Sequence, residues 1–174
     1  MLTANTPYSS LIATEKGQPF LLTAEEREAI EHAMHHYADP RAASIDALKI
    51  VQHNHRWVPD GAIHAIAEVL GISAADLEGV ATFYNRIYRQ PVGRHVIAVC
   101  DSIGCFLTGF DELYAALQTK LGIKPGQTTA DDRFTLLPVV CLGACDRSPV
   151  LMVNDATHFN VTPANIEQVL EQYP

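Results

Sequence analysis

The chain has 174 residues, of which 48% are hydrophobic and 18% are charged, so it suits one globular domain or two small ones. Its formal charge of −8 at pH 7 argues against a protein that binds duplex nucleic acid or an anionic membrane surface, because both partners require clustered basic residues. No run approaches the roughly 18 apolar residues of a membrane helix, and the first residues show no secretory signal. We therefore expect a cytoplasmic chain that does not insert directly into a membrane.

The first half of the chain has the spacing of a helical bundle. Residues 1–22 show no regular spacing of apolar residues and are predicted to form a mobile arm. Over residues 23–90, in contrast, apolar side chains recur at helical spacing. Thr23 and Glu26 fit a capping box at the first helix, and Pro40 can start the second. The four predicted apolar stripes are Ile30, Ala33, Met34 and Tyr37; Ile45, Leu48 and Val51; Ile63, Ile66, Ala67 and Leu70; and Leu77, Val80, Ala81 and Tyr84. Short links between these helices favour a compact bundle.

After Pro91 and Gly93 the helical spacing of apolar residues gives way to apolar, β-branched runs that are typical of strands. Residues 91–174 are therefore predicted to form a second, α/β domain. Strands are predicted at residues 95–100 and 133–141, followed by a hairpin about Asn154 to Ala156. A helix with the stripe Phe110, Leu113, Leu117 and Leu121 lies between the two strands, and a last helix opens at Pro163. The resulting order β-α-β-β-β-α is what a small thioredoxin-like layer needs, and it gives an α+β chain.

All four cysteines follow the two predicted strands in pairs. The spacing is Cys100-x4-Cys105, then 35 residues, then Cys141-x3-Cys145. In a reducing compartment such pairs are metal ligands or redox groups more often than structural disulfides, and the Cys-x-x-Cys of a thioredoxin dithiol is absent. Structural zinc and four chemically idle cysteines remain as alternatives. A [2Fe–2S] cluster accounts for both cysteine pairs, because each of its two irons takes two thiolates.

Other residues of the two loops bear on such a cluster. Gly104 and Gly143 would let the backbone approach the inorganic sulfides. Asp101 and Asp146 stand beside cysteines and would oppose added negative charge, and Arg147 would partly offset them. We expect a cluster of low reduction potential in these surroundings.

The remaining sequence contains no recognisable catalytic site. It has neither the G-x-G-x-x-G nor the G-x-x-x-x-G-K-[ST] pattern, and no Ser/His/Asp or Cys/His signature. The histidines of the first two helices, which are His32, His35, His36, His53 and His55, are interpreted as solvated or packed imidazoles. This pattern indicates an electron carrier, with a zinc-stabilised interaction domain and a free-standing ferredoxin or thiol oxidoreductase as alternatives.

Four stretches carry a resemblance to a known family. They are "EREAIEHAMHHYADPRAASIDALKIVQ", "RWVPDGAIHAIAEVLGI", "LEGVATFYNRIYRQPVGRHVI" and "CLGAC". Together they resemble the small [2Fe–2S] subunit of bacterial respiratory NADH:quinone oxidoreductase (complex I), from about residue 25 to the C-terminus. The resemblance implies an N-terminal helical bundle followed by a thioredoxin-like [2Fe–2S] ferredoxin domain. It also implies that the cluster ligands are Cys100, Cys105, Cys141 and Cys145.

The same resemblance implies a role and partners. The chain would exchange single electrons with the FMN of a neighbouring flavoprotein subunit, which also binds NADH, as one part of an NADH dehydrogenase. Other peripheral-arm iron–sulfur subunits would be further partners, and the complex would hold the chain at the cytoplasmic side of the inner membrane. Similar subunits serve NAD-reducing hydrogenases and NAD-dependent formate dehydrogenases, although the helical half favours complex I.

Overall fold

The structure, a computed structural model, describes residues 20–174. Contacts divide the described residues into two compact units, with the boundary between Pro91 and Val92, and the units are described separately. The predicted mobile arm lies outside the described residues up to position 19. Within the described part of the chain, no helix combines the length and the apolar character needed to cross a membrane.

The described residues of the first unit form four α-helices around one apolar core. The helices are α1 (Ala24–Met34), α2 (Ser44–His55), α3 (Asp60–Leu70) and α4 (Ala74–Phe83), with a 3-10 turn at Pro40–Ala43 before α2. Their apolar faces are buried together, and the largest fully buried apolar side chains are Ile30, Leu48, Val51, Ile66 and Leu77. Every one of these five residues belongs to a predicted stripe, so helical spacing located the core correctly.

The capping box predicted at α1 is present. The N–H of Glu26 donates to the Thr23 hydroxyl over 3.1 Å, and the Thr23 N–H donates to the Glu26 carboxylate over 2.9 Å. The predicted apolar stripe of this helix was wrong at its C-terminal end, because α1 ends at Met34 and Tyr37 is 41% exposed. The Tyr37 hydroxyl donates instead to Asp46 of α2 over 2.8 Å.

The stripe predicted for α4 also ran one residue too far. The helix ends at Phe83, and Tyr84 takes an extended backbone conformation with φ −88° and ψ 106°. Tyr84 is 43% exposed, and its ring contacts that of Phe83 edge to face.

The second unit is a four-stranded sheet with helices. Its elements are β1 (His95–Cys100), α5 (Ile103–Leu107), α6 (Phe110–Leu121), β2 (Phe134–Val139), β3 (Leu151–Val153), β4 (Ala156–His158) and α7 (Ile166–Leu170). The strand order is β2-β1-β3-β4. The core joins the sheet to α6 and α7, and its fully buried residues include Ile97, Leu113, Leu117, Leu136, Leu151 and Ile166. The predicted α+β class is therefore confirmed.

Strand pairing in this unit is mixed. β1 runs parallel to β2 and antiparallel to β3, and the predicted hairpin joins β3 to β4 through a turn in which Asn154 has φ 52°. β2 is shorter than the predicted strand, and its Pro138 is tolerated because β2 is an edge strand. α7 begins at Ile166, after a turn from Pro163, and α5 was not predicted.

Candidate metal centre

The two cysteine pairs emerge from one edge of the sheet. Cys100 is the last residue of β1, and it lies opposite Val139, the last residue of β2. The N–H of Asp101 donates to the Val139 carbonyl over 3.0 Å, so the two chain segments remain side by side as they leave the sheet. Because parallel strands end at the same edge, the first cysteine loop (residues 100–109) and the second cysteine loop (residues 140–149) start together.

The first pair is buried. Cys100 is 2% exposed, and Cys105, which lies in the one-turn helix α5, is 1% exposed. The Phe106 N–H donates to the Ser102 carbonyl over 2.9 Å and so closes the turn that brings Cys105 back towards Cys100. Val150 is buried with the two cysteines, and the side chains packed against this cluster are Phe110, Leu142, Ala144 and Phe159. This apolar packing keeps water from the first pair.

The second pair is exposed, and its sulfurs are in contact. The Sγ atoms of Cys141 and Cys145 are 3.5 Å apart, and both residues are exposed. Between them, Gly143 takes φ 82°, a left-handed conformation that favours glycine, and its N–H donates to the Cys141 Sγ over 3.4 Å. Cys145 opens a 3-10 turn that ends at Arg147.

The two loops contact each other through the cysteines. Leu142 and Ala144, in the second loop, pack against the buried cluster that contains Cys100 and Cys105. Gly104, in the first loop, faces Cys145 so closely that a Cβ built on it would lie 3.6 Å from the Cys145 Cβ and 3.8 Å from its Sγ. The structure thus brings all four thiols to one place at the sheet edge.

The thiols influence one another's protonation. Burial raises the pKa of Cys100, but hydrogen bonds to its sulfur from the backbone of Ser102 and Leu142 and from Cys105 leave that pKa below its ordinary value. Burial, reinforced by the bond to Cys100, raises the pKa of Cys105 to about 11. The hydrogen bond with Cys141 and the charge of that residue raise the pKa of Cys145. Each pair therefore accepts one negative charge more readily than two.

Such a donor set suits a cationic group that several thiolates share. Within residues 20–174, no three or more His, Cys, Asp or Glu side chains are grouped so as to hold one metal ion. The thiols form two pairs instead, which is the donor chemistry of a [2Fe–2S] cluster with two thiolates on each iron. Positive charge between the pairs would remove the repulsion that opposes the second thiolate of each pair.

Charged side chains border the second pair. Asp101 and Asp146 are both exposed beside cysteines, as their sequence positions predict. The Arg147 Nε lies 3.7 Å from the Asp146 carboxylate, while its guanidinium stacks over the Phe159 ring at 3.5 Å from the ring centre. Arg147 is thus held at the site by an aromatic ring as well as by charge.

Exposed apolar side chains around the cysteines were missed by the sequence analysis. Ile103, Phe106 and Leu107 of α5 are 72%, 50% and 75% exposed, and Val140, beside Cys141, is 67% exposed. We call these four residues the apolar rim. A signal existed in the sequence, because three large apolar residues flank Cys105 without joining any helical stripe.

The histidines predicted to be packed or solvated belong to the first unit, whereas the four cysteines belong to the second. His55, of the first unit, contacts the carboxylate of Glu26 with its Nε2 over 2.9 Å, and the rings of His32 and His36 meet edge to face. The Glu26 carboxylate also accepts a bond from Asn54 over 2.9 Å. Glu26 therefore has structural partners on α2 in addition to its role in the capping box.

Comparison with known proteins identifies the family. A model of the family described as thioredoxin-like [2Fe–2S] ferredoxin matches residues 30–174. The chain is 64% identical to the E subunit of NADH-quinone oxidoreductase from Escherichia coli over 156 residues, which cover 90% of this chain and 94% of that one. It is 60% identical to the protein of the same name from Pseudomonas aeruginosa over 165 residues, which cover 95% and 98%.

Among solved structures, the chain resembles an NAD+-reducing [NiFe]-hydrogenase in the H2-reduced state. The TM-score is 0.61 at 22% identity, and the match covers 72% of this chain and 22% of the hydrogenase chain. This likeness supports the fold alone. The family match and the two curated relatives establish that the chain belongs to the thioredoxin-like [2Fe–2S] ferredoxin family and, within it, to the family of the E subunits of NADH-quinone oxidoreductase.

Proposed function

We propose that Cys100, Cys105, Cys141 and Cys145 hold one [2Fe–2S] cluster, with each cysteine pair on one iron. The observation that carries this proposal is the meeting of the two loops, in which Gly104 of the first loop faces Cys145 of the second and Leu142 of the second packs against the buried cysteines of the first. Within the second loop, the Gly143 N–H donates to the Cys141 sulfur over 3.4 Å. Amides that donate to thiolate sulfur also stabilise the charge of a bound cluster.

We infer that the chain is an electron-transfer subunit of the NADH-oxidising module of complex I. Relatives with 60% to 64% identity over nearly their whole length are named as E subunits of NADH-quinone oxidoreductase. A bound [2Fe–2S] cluster supplies one-electron redox chemistry. The chain's own residues hold the irons, exclude water on the side of Cys100 and Cys105, and leave the side of Cys141 and Cys145 open to a partner.

We propose that the partner on the open side is a flavoprotein subunit that binds FMN and NADH. The apolar rim supports this assignment, since exposed apolar groups gathered at a redox centre are typical of a buried protein interface. Docking on the rim would bring the exposed cysteine pair next to the flavin. Electrons would then cross an interface from which water is excluded, while apolar side chains of this chain still cover Cys100 and Cys105.

Acidic residues at the same edge are proposed to lower the cluster's reduction potential. Asp101 and Asp146 place negative charge beside Cys100 and Cys145, and each added electron increases their repulsion with the cluster. Arg147 offsets only part of this charge, since it brings one positive charge against two carboxylates.

The wider arrangement is also a proposal. We propose that residues 1–22 are an arm, residues 23–90 a helical domain, and residues 91–174 the cluster domain; the separate apolar cores of the two units support this division. We further propose that the chain works in the peripheral arm of the complex, beside other iron–sulfur subunits, on the cytoplasmic side of the inner membrane.

Two neighbouring substitutions test the site and the partner separately. Cys141→Ser should abolish the visible absorbance of the anaerobically purified protein and lower its iron and acid-labile sulfide. Val140→Ser, which removes an exposed rim residue next to that ligand, should keep the cluster but reduce co-purification with the flavoprotein. A Cys141→Ser protein that keeps a full complement of iron would contradict the ligand assignment. If Val140→Ser lost the cluster, the rim would have to be regarded as structural.

A further inference from the structure

The two cysteine pairs differ in access in a way that electron transfer does not require. Cys100 and Cys105 are almost fully buried, at 2% and 1% exposed, under Phe110 and Phe159. Cys141 and Cys145 are exposed, with sulfurs 3.5 Å apart. A reagent in solution therefore meets the second pair first, and it meets both sulfurs of that pair at once.

We propose that, in the chain without its cluster, Cys141 and Cys145 form a reversible disulfide and that this modification closes the second cysteine loop to cluster assembly. The disulfide step depends only on the two thiols and their surroundings. Its consequence for assembly rests on the proposed function, in which the same two sulfurs bind one iron. A small-molecule disulfide of the glutathione class is the oxidant.

The loop geometry allows the bond with a small movement. The sulfurs are separated by 3.5 Å, and a disulfide requires about 2.05 Å, so they must approach by roughly 1.5 Å. The β2 ladder ends at Val139 and the 3-10 turn begins only at Cys145, so the backbone between the two sulfurs is held by neither element. Gly143, with φ 82°, already turns this segment back on itself.

The chemistry balances with one molecule of the small disulfide. The thiolate of one cysteine attacks a sulfur of the small disulfide, whose S–S bond breaks and releases one small thiol. The other protein cysteine, as thiolate, then attacks the protein sulfur of the mixed disulfide and releases the second small thiol. The protein pair loses two electrons and two protons, and the small disulfide gains them. An added dithiol reverses both steps.

The buried pair should remain reduced during this reaction. Attack requires the incoming disulfide to align with the attacking sulfur, and Phe110, Phe159 and Val150 pack around Cys100 and Cys105. The second loop also covers the first, as the contact of Gly104 with Cys145 shows. Oxidation would thus stop at one disulfide and leave a chain with only one of its two thiol pairs.

Peptide mapping of the full-length, cluster-free chain tests the disulfide. The chain is treated anaerobically with one equivalent of oxidised glutathione, alkylated, and cut with trypsin, which places the second pair in peptide 134–147 and the first in peptide 95–120. Peptide 134–147 should escape alkylation and weigh two hydrogens less than its reduced form. It should lose its thiols at least roughly tenfold faster than peptide 95–120, because access controls thiol reactivity. Equal rates, or faster oxidation of peptide 95–120, would overturn the proposal.

A variant and a reconstitution complete the test. Cys145→Ser should keep glutathione attached to Cys141, because no second thiol resolves the mixed disulfide; prompt loss of the adduct would contradict the mechanism. Reconstitution with iron and sulfide is then compared between the reduced and the oxidised wild-type chain. The proposal is supported if the reduced chain assembles a cluster, the oxidised chain does not, and adding a dithiol to the oxidised chain restores its ability to assemble one. Equal assembly in both overturns it. A reduced chain that assembles no cluster refutes the proposed function and, with it, the assembly step, while the peptide result still decides the disulfide.

Discussion

Gly143→Ala is the substitution whose effect on the cluster follows most directly from the backbone. Gly143 has φ 82°, and no atom lies within 4 Å of the position that an alanine Cβ would occupy. The cost is therefore conformational, not steric crowding, and a left-handed backbone costs a residue with a side chain about 1–2 kcal/mol. If the loop relaxes, the bond from the Gly143 N–H to the Cys141 sulfur is lost as well, at about 1 kcal/mol.

The total of about 1–3 kcal/mol corresponds to a roughly 5- to 150-fold weaker hold on the cluster. The assay is the visible absorbance that remains when purified protein competes with an iron chelator under nitrogen. Gly79→Ala is the matched control, because Gly79 lies inside α4 with no atom within 4 Å of its added Cβ. That control should raise the unfolding free energy by about 0.5–1 kcal/mol and leave the cluster in place. A Gly143→Ala protein that retains its cluster as well as wild type would refute the reasoning.

Three further predictions concern other parts of the chain. Burial raises the pKa of Glu26, but bonds from Asn54 and the Thr23 N–H, with the charge of His55, bring it below its ordinary 4.5. The stability that this carboxylate adds is therefore present above pH 4.5 and is lost as the pH falls through its lower pKa in the folded chain. Glu26→Gln should lower the free energy of unfolding by about 1–3 kcal/mol at pH 7. It should also make that free energy less dependent on pH in the acid range, as measured by denaturation at a series of pH values. Asp146→Asn should raise the cluster's midpoint potential in a redox titration, since it removes a negative charge beside Cys145, and an unmoved potential would exclude this role. Leu107→Ser, at 75% exposure, should weaken capture of the flavoprotein without lowering the melting temperature; undiminished capture would count against the apolar rim.

Spacing in the sequence located most of the secondary structure and the core. The large apolar side chains that are fully buried in α1 to α4 belong to the predicted stripes, and the strand that ends at Cys100 was placed with its observed bounds. The sequence could not give the order β2-β1-β3-β4, because strand neighbours depend on long-range packing. That order matters for the site, since the parallel pairing of β1 with β2 brings both cysteine loops to one edge.

Features that depend on contacts between distant residues were beyond local patterns. The capping box of Thr23 and Glu26 was predicted, but the bonds from Asn54 and His55 to the same carboxylate arise only when α1 packs on α2. α5 was missed because its one turn is too short for a helical period to appear. The unequal exposure of the two cysteine pairs was likewise invisible, since spacing says nothing about which loop covers the other.

Paramagnetic resonance of the native chain, prepared without oxygen and reduced with dithionite, tests the central claim most directly when it is joined to metal and sulfide analysis. We expect equal amounts of iron and acid-labile sulfide, two of each per chain, and the signal of a single one-electron-reduced binuclear cluster. A native protein that contains zinc or no metal, or whose iron comes without sulfide, would contradict the account.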